Sequence, residues 1–104
     1  QMHAVIRKKI SEIAHIAARR RVRRLGVFGS ATSDRFDPER SDIDFVVEFE
    51  PMAPVEHAEA YFGLIEDLTR LFCRKIDLVE RSAIRNPIFL ESVEETCREI
   101  YAVA

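Results

Sequence analysis

Two short stretches of this chain carry residue types that could do chemistry together. The first is Gly26-Val27-Phe28-Gly29-Ser30; the second is Ser41-Asp42-Ile43-Asp44-Phe45-Val46-Val47, and the eleven residues Ala31–Ser41 separate Ser30 from Asp42. In a strand, alternate side chains share a face, so Asp42 and Asp44 point one way and Ile43 and Phe45 the other. Two carboxylates on one face repel each other, and a cation between them removes that cost. Hard oxygen ligands on a short, rigid spacing suit Mg²⁺. Gly29 lacks a Cβ and Ser30 carries a hydroxyl, which lets a backbone N–H and an Oγ come close to a phosphate. A phosphate grip beside a magnesium seat is nucleotide chemistry.

A third carboxylate extends the pattern. Asp77 sits in Lys75-Ile76-Asp77-Leu78-Val79, a short apolar setting that mirrors Asp42–Val47. If the two strands are neighbours, Asp77 can project from the face that carries Asp42 and Asp44. Three carboxylates can hold two metal ions about 3.5–4 Å apart, the arrangement that stabilises attacking and leaving oxygens in phosphoryl chemistry. Asp77 can also help remove a proton from the attacking hydroxyl. A lone Asp-x-Asp also occurs in calcium loops, but the glycine and glutamate such a loop requires are missing here.

The elements that would position these groups follow from hydrophobic spacing. Ile6, Ile10, Ile13 and Ala17 recur at helical intervals and predict an amphipathic helix from about His3 to Arg21. Val22–Phe28 predicts a first strand and Ile43–Phe49 a second, separated by a loop rich in turn formers. Pro51 and Pro54 break the chain before a helix from Val55 to Phe72. Lys75–Val79 is the third strand. Pro87 suits the first turn of a last helix whose apolar stripe runs through Val93, Cys97, Ile100 and Tyr101. The expected fold class is therefore α+β: a small mixed sheet of three to four strands with helices packed on one face.

Composition narrows the class further. The 104 residues are 47% hydrophobic and 33% charged, which fits one globular domain rather than a disordered chain. No apolar run approaches the roughly 20 residues that span a bilayer, and no secretory signal is expected. Cys73 and Cys97 have no ligand-spaced partners and lie among apolar residues. They are expected to be buried reduced thiols, which suits a cytoplasmic protein. His3 and His15 are expected at the surface or its boundary. The net charge of −2 conceals +7 in residues 1–24 and −9 in residues 25–104. The arginine run at 19–24 lacks interleaved aromatic residues, which argues against nucleic acid as a partner.

Together, Phe28-Gly29-Ser30, Ser41-Asp42-Ile43-Asp44 and Lys75-Ile76-Asp77-Leu78-Val79 resemble the minimal nucleotidyltransferase (MNT) domain of the DNA polymerase β superfamily. The resemblance covers almost the whole chain, so residues 1–104 read as a single such domain. It implies the polymerase β-like fold and an antitoxin paired with a HEPN-domain ribonuclease toxin. It also implies transfer of AMP from ATP to a tyrosine hydroxyl of that toxin, with two Mg²⁺ ions. By position, Gly29 and Ser30 would hold the β- and γ-phosphates, Asp42 and Asp44 would bind both metals, and Asp77 the catalytic one. Arg40 and Ser41 are further nucleotide-binding candidates.

The loop is one residue longer than the family's common spacing. Ala31-Thr32-Ser33 stand where many members carry an arginine, so Arg35, Arg40, Arg81 and Arg85 are candidates to supply phosphate charge. Two other readings remain open: an antitoxin that acts by binding alone, and a nucleotidyltransferase for a small molecule. A chain this small with exposed-looking apolar residues is expected to assemble with itself or with a partner.

Overall fold

The computed structural model describes residues 2–104. In chain order it runs α1 (Ala4–Arg7), α2 (Ile10–Arg19), β1 (Val22–Phe28), β2 (Ile43–Phe49), α3 (Pro54–Phe72), β3 (Ile76–Glu80), α4 (Pro87–Thr96) and β4 (Arg98–Ala102). The strands form one mixed sheet in the order β3-β2-β1-β4. β1 runs antiparallel to both β2 and β4, and β3 lies parallel to β2. α3 makes the crossover that parallel neighbours require.

One sheet face carries the larger core. Leu25, Val27, Ile43, Phe45, Val47, Ile76 and Leu78 meet Ile6, Ile13, Ala17, Leu64, Leu68 and Phe72 from α1, α2 and α3. The period of two in β2 puts Phe45 and Val47 into that core and turns Asp44 and Val46 the other way. On the opposite face a smaller cluster joins Phe28 and Val46 to Val93 of α4. The candidate carboxylates Asp44 and Asp77 lie on this second, more open face.

Two elements depart from the sequence expectation. The first helix breaks at Lys8-Lys9, where the Lys9 N–H bonds the Ile6 carbonyl in a tighter, 3₁₀-type turn. Ile6 and Ile13 remain wholly buried on either side of the break. The last helix stops at Thr96, and residues 98–102 form β4 instead of continuing it to Tyr101. The stripe Cys97, Ile100, Tyr101 has helical spacing, and pairing with the free edge of β1 overrides it. Gly26 makes that pairing possible: a Cβ there would sit 2.6 Å from Cys97 Sγ and 3.0 Å from the Arg98 carbonyl oxygen.

The caps explain other boundaries. Pro54 opens α3, and the Ala53 N–H reaches Glu56 Oε1 at 3.4 Å. The Asn86 side chain accepts the N–H groups of Ile88 and Phe89 at 2.8 and 3.2 Å, and Pro87 opens α4. Cys73 ends α3 in the left-handed region at φ 52° and is exposed, so the expected burial of this thiol is corrected: it caps a helix. Cys97 is half-buried and also free. His15 is exposed and His3 half-buried, at the surface and its boundary as expected. No described helix is long and apolar enough to cross a membrane.

Most of the arginine run is paired. Arg19 and Arg20 converge on the buried Asp67 at 3.3 and 2.8 Å, and Arg24 reaches Glu99 at 3.0 Å. Arg21 lies 4.0 Å from Glu50 and 3.9 Å from Glu56. Four of the eight basic residues in 1–24 are thus paired with carboxylates of the acidic part of the chain.

Candidate active site

The site forms where β1 ends and β2 and β3 begin. Parallel pairing sets Ile43 opposite Ile76 and Asp44 opposite Asp77, so the two aspartates share one face of adjacent strands. Antiparallel pairing sets Phe28 opposite Asp44, which brings Gly29 against the Asp44 side chain. Gly29 takes φ +71°, and a Cβ there would lie 2.8 Å from Asp44 Oδ2. The residue must therefore be glycine for its backbone angle and for the carboxylate beside it. From Gly29 to Thr32 the chain makes a 3₁₀ turn, held by the Thr32 hydroxyl on the Gly29 carbonyl at 2.9 Å.

The electrostatics follow from this crowding. Burial first, then the neighbouring carboxylates of Asp77 and Asp42, push Asp44 up to about 6. Lys75 places its ammonium 3.8 Å from Asp42 Oδ2 and 3.9 Å from Asp77 Oδ1, linking the two outer carboxylates. Among the described residues, no three His, Cys, Asp or Glu side chains converge into a ready-made metal cluster. The donor set nevertheless suits magnesium: hard carboxylate oxygens from two neighbouring strands, mutually repelling, with a lysine cation already drawn to two of them.

The loop before Asp42 is latched from the α3–β3 connection. Arg74 Nη1 donates to the Ser41 carbonyl at 3.0 Å, and Nη2 bonds the Pro38 carbonyl. Its guanidinium also lies 5.3 Å from the centroid of the buried Phe36, whose ring meets His3 at 4.8 Å. Arg74 Nε is buried without a partner among the described residues. At the other end of the loop, the His3 N–H bonds the Ala31 carbonyl at 2.9 Å.

Residues 6–100 match the family model described as a nucleotidyltransferase domain. The chain belongs to the nucleotidyltransferase domain family. It is 33% identical over 96 residues to a Methanocaldococcus jannaschii protein named "Putative protein adenylyltransferase MJ1379", covering 85% of this chain and 94% of that one. A second protein of that organism, "Putative protein adenylyltransferase MJ0128", is 34% identical over the same shares.

Solved structures share the fold. One described as a putative minimal nucleotidyltransferase superposes with a TM-score of 0.67 at 24% identity, covering 94% of this chain and 95% of that one. A toxin–antitoxin complex with AMP-PNP gives 0.68 at 17% identity, over 90% of this chain and 73% of that one. A tri-AMPylated Shewanella oneidensis HEPN toxin in complex with its MNT antitoxin gives 0.64 at 15%, over 93% and 72%.

Within this nucleotidyltransferase domain, the fold brings Gly29, Asp42, Asp44 and Asp77 together, with Ser30 next in the turn. The other candidates are placed differently. The Ser41 hydroxyl accepts the Asp37 N–H at 2.9 Å and so braces the loop. Arg35 and Arg40 are exposed on that loop. Arg81 is ion-paired with Glu94 of α4, and Arg85 donates to the Ser82 carbonyl at 2.9 Å.

Sequence reasoning missed three supporting residues. Lys75 stands two positions before Asp77, a spacing that could have pointed to it. Arg74 had no local signal, since its partners lie more than thirty positions earlier in the chain. Thr96 accepts the Gly29 N–H at 3.0 Å from 67 positions away and had none either.

Proposed function

We propose that this protein is a Mg²⁺-dependent nucleotidyltransferase antitoxin that moves AMP from ATP to a tyrosine hydroxyl of a partner HEPN ribonuclease toxin and thereby silences it. The observation that carries the reading is the register that sets Asp44 beside Asp77, with Asp44 packed against the left-handed Gly29. The names of the M. jannaschii relatives support protein as the acceptor class. The AMPylated toxin complex of the same fold supports the partner.

In this reading the toxin's tyrosine oxygen attacks the α-phosphorus of ATP. A new phosphorus–oxygen bond forms, the bond to the bridging α–β oxygen breaks, and pyrophosphate leaves. Asp77, half-exposed beside Lys75, takes the phenolic proton. Ser30, in the turn that Gly29 opens, holds the outgoing phosphates, and Asp42, Asp44 and Asp77 are the residues that would hold magnesium. When bound, magnesium neutralises charge on the phosphates and on the entering and leaving oxygens.

Labelled ATP tests the reaction class. Label at the α-phosphate should become fixed to the toxin, and label at the γ-phosphate should leave as pyrophosphate. Retention of the γ-label would indicate a kinase-like transfer and overturn the reading. A second reading, neutralisation by docking alone, is favoured by the exposed apolar side chains Val55 and Phe62 of α3 and Ile88 of α4. Full neutralisation in the absence of ATP would select it.

A further inference from the structure

The Gly29 N–H, which the sequence offers to a phosphate, is already engaged. It donates to Thr96 Oγ1 at 3.0 Å, and the Thr96 hydroxyl in turn donates to the Ser92 carbonyl at 3.0 Å. With its proton committed backwards along α4, the hydroxyl presents an acceptor lone pair to the turn. The threonine is itself well anchored. One turn earlier Val93 is 1% exposed and packs with Phe28 and Val46, and one residue later the chain leaves the helix at Cys97 against Gly26.

We propose that Thr96 is a positioning residue for the nucleotide: its hydroxyl holds the Gly29 amide and so sets the turn that presents Ser30 to the phosphates. The inference rests on the nucleotidyltransferase reading and adds a residue outside the carboxylate and Gly-Ser pattern. Gly29 sits in a left-handed conformation that a glycine enters and leaves readily. A hydrogen bond at its N–H therefore restrains the one residue in the turn with the most freedom to lose. It also assigns the amides: with Gly29 committed to Thr96, phosphate contacts at this turn begin at Ser30.

The test compares wild type with Thr96→Val, which keeps the shape without the hydroxyl, and Thr96→Ser, which keeps the hydroxyl. ATP affinity is measured with Mg²⁺ by calorimetry, and exchange of the Gly29 amide is followed by NMR in nucleotide-free protein. Thr96→Val should bind ATP about fivefold more weakly, the size of one lost hydrogen bond, with Gly29 exchange faster by a similar factor. Its melting point should fall by about 4–8 °C, the shift one lost hydrogen bond makes in a domain of this size, leaving it folded at the temperature of the assay. Thr96→Ser should restore both readouts to within about twofold. Equal ATP affinity in wild type and Thr96→Val overturns the inference while leaving the transferase reading intact, as does equal weakening by both variants. Absence of ATP binding by wild type overturns the transferase reading and this one with it.

Discussion

Gly29 and Asp44 exclude each other's alternatives: the position a Cβ would take on Gly29 is 2.8 Å from Asp44 Oδ2, and Gly29 holds φ +71°. Substitution by alanine therefore faces a backbone penalty and a clash together. Gly29→Ala should lower stability by about 1–2 kcal/mol for the left-handed residue alone, measured by urea unfolding. Displacement of Asp44 should cut AMP transfer by about 100-fold, as a misplacement near 1 Å does. Unchanged transfer by Gly29→Ala would mean that Asp44 does not work from its present position.

Arg74 latches the loop that delivers Asp42, and only a planar guanidinium can bond two carbonyls while stacking on Phe36. Arg74→Lys keeps the charge and loses that geometry. It should cost about 1–2 kcal/mol and make trypsin cut faster at Arg35 and Arg40, which lie exposed on the latched loop. Cleavage at the wild-type rate would show that the loop is held by other contacts.

Asp67 gathers Arg19, Arg20 and Arg70 while only 6% exposed. The hydrogen bond from Arg20 foremost, with the charges of Arg20 and Arg19, holds its carboxyl below the usual range. A depressed folded-state pKa contributes stability that is fully present above the unfolded value, about 3.9, and lost as the pH falls through the folded one. Wild type should therefore lose stability below about pH 4 relative to Asp67→Asn, and the two curves should run parallel above about pH 5. At neutral pH Asp67→Asn should be less stable by about 1.5–3 kcal/mol, the value of hydrogen bonds to a charged group. A constant gap between the two proteins across the acid range would contradict this assignment.

Cys73 closes α3 at φ 52°, a place where glycine is favoured, and its side chain is exposed. Cys73→Gly should raise stability by about 0.5–1 kcal/mol, seen as a higher urea midpoint with an unchanged slope. A lower midpoint would assign the thiol a packing role.

Legibility in the sequence was uneven, for physical reasons. Strands β1 and β2 were readable to the residue because Gly29-Ser30 and Pro51 punctuate them and alternation marks their faces. Helix α3 begins one residue before the expected Val55, and β3 is shifted by one residue at both ends from the expected Lys75–Val79. That Asp77 could share a face with Asp44 was read from two similar segments on the condition that their strands are neighbours; the sheet meets that condition, and the parallel register that pairs the two is visible only in the fold. β4 was hidden because Cys97, Ile100 and Tyr101 lie at helical spacing and the strand carries no alternation of its own. Only the free edge of β1 and the missing side chain of Gly26 favour the strand. Arg74 and Thr96 act on partners distant in sequence, and no local pattern marks such contacts.

The central claim is that Asp42 and Asp44 make this protein an adenylyltransferase rather than a docking module. The most direct measurement is the intact mass of the partner toxin after co-expression with wild type or with Asp42→Asn/Asp44→Asn. The account predicts that toxin made with wild type gains one or more adenylyl groups, that toxin made with the double variant gains none, and that only the modified toxin is silenced. Unmodified toxin that is nonetheless fully neutralised by both forms would contradict it.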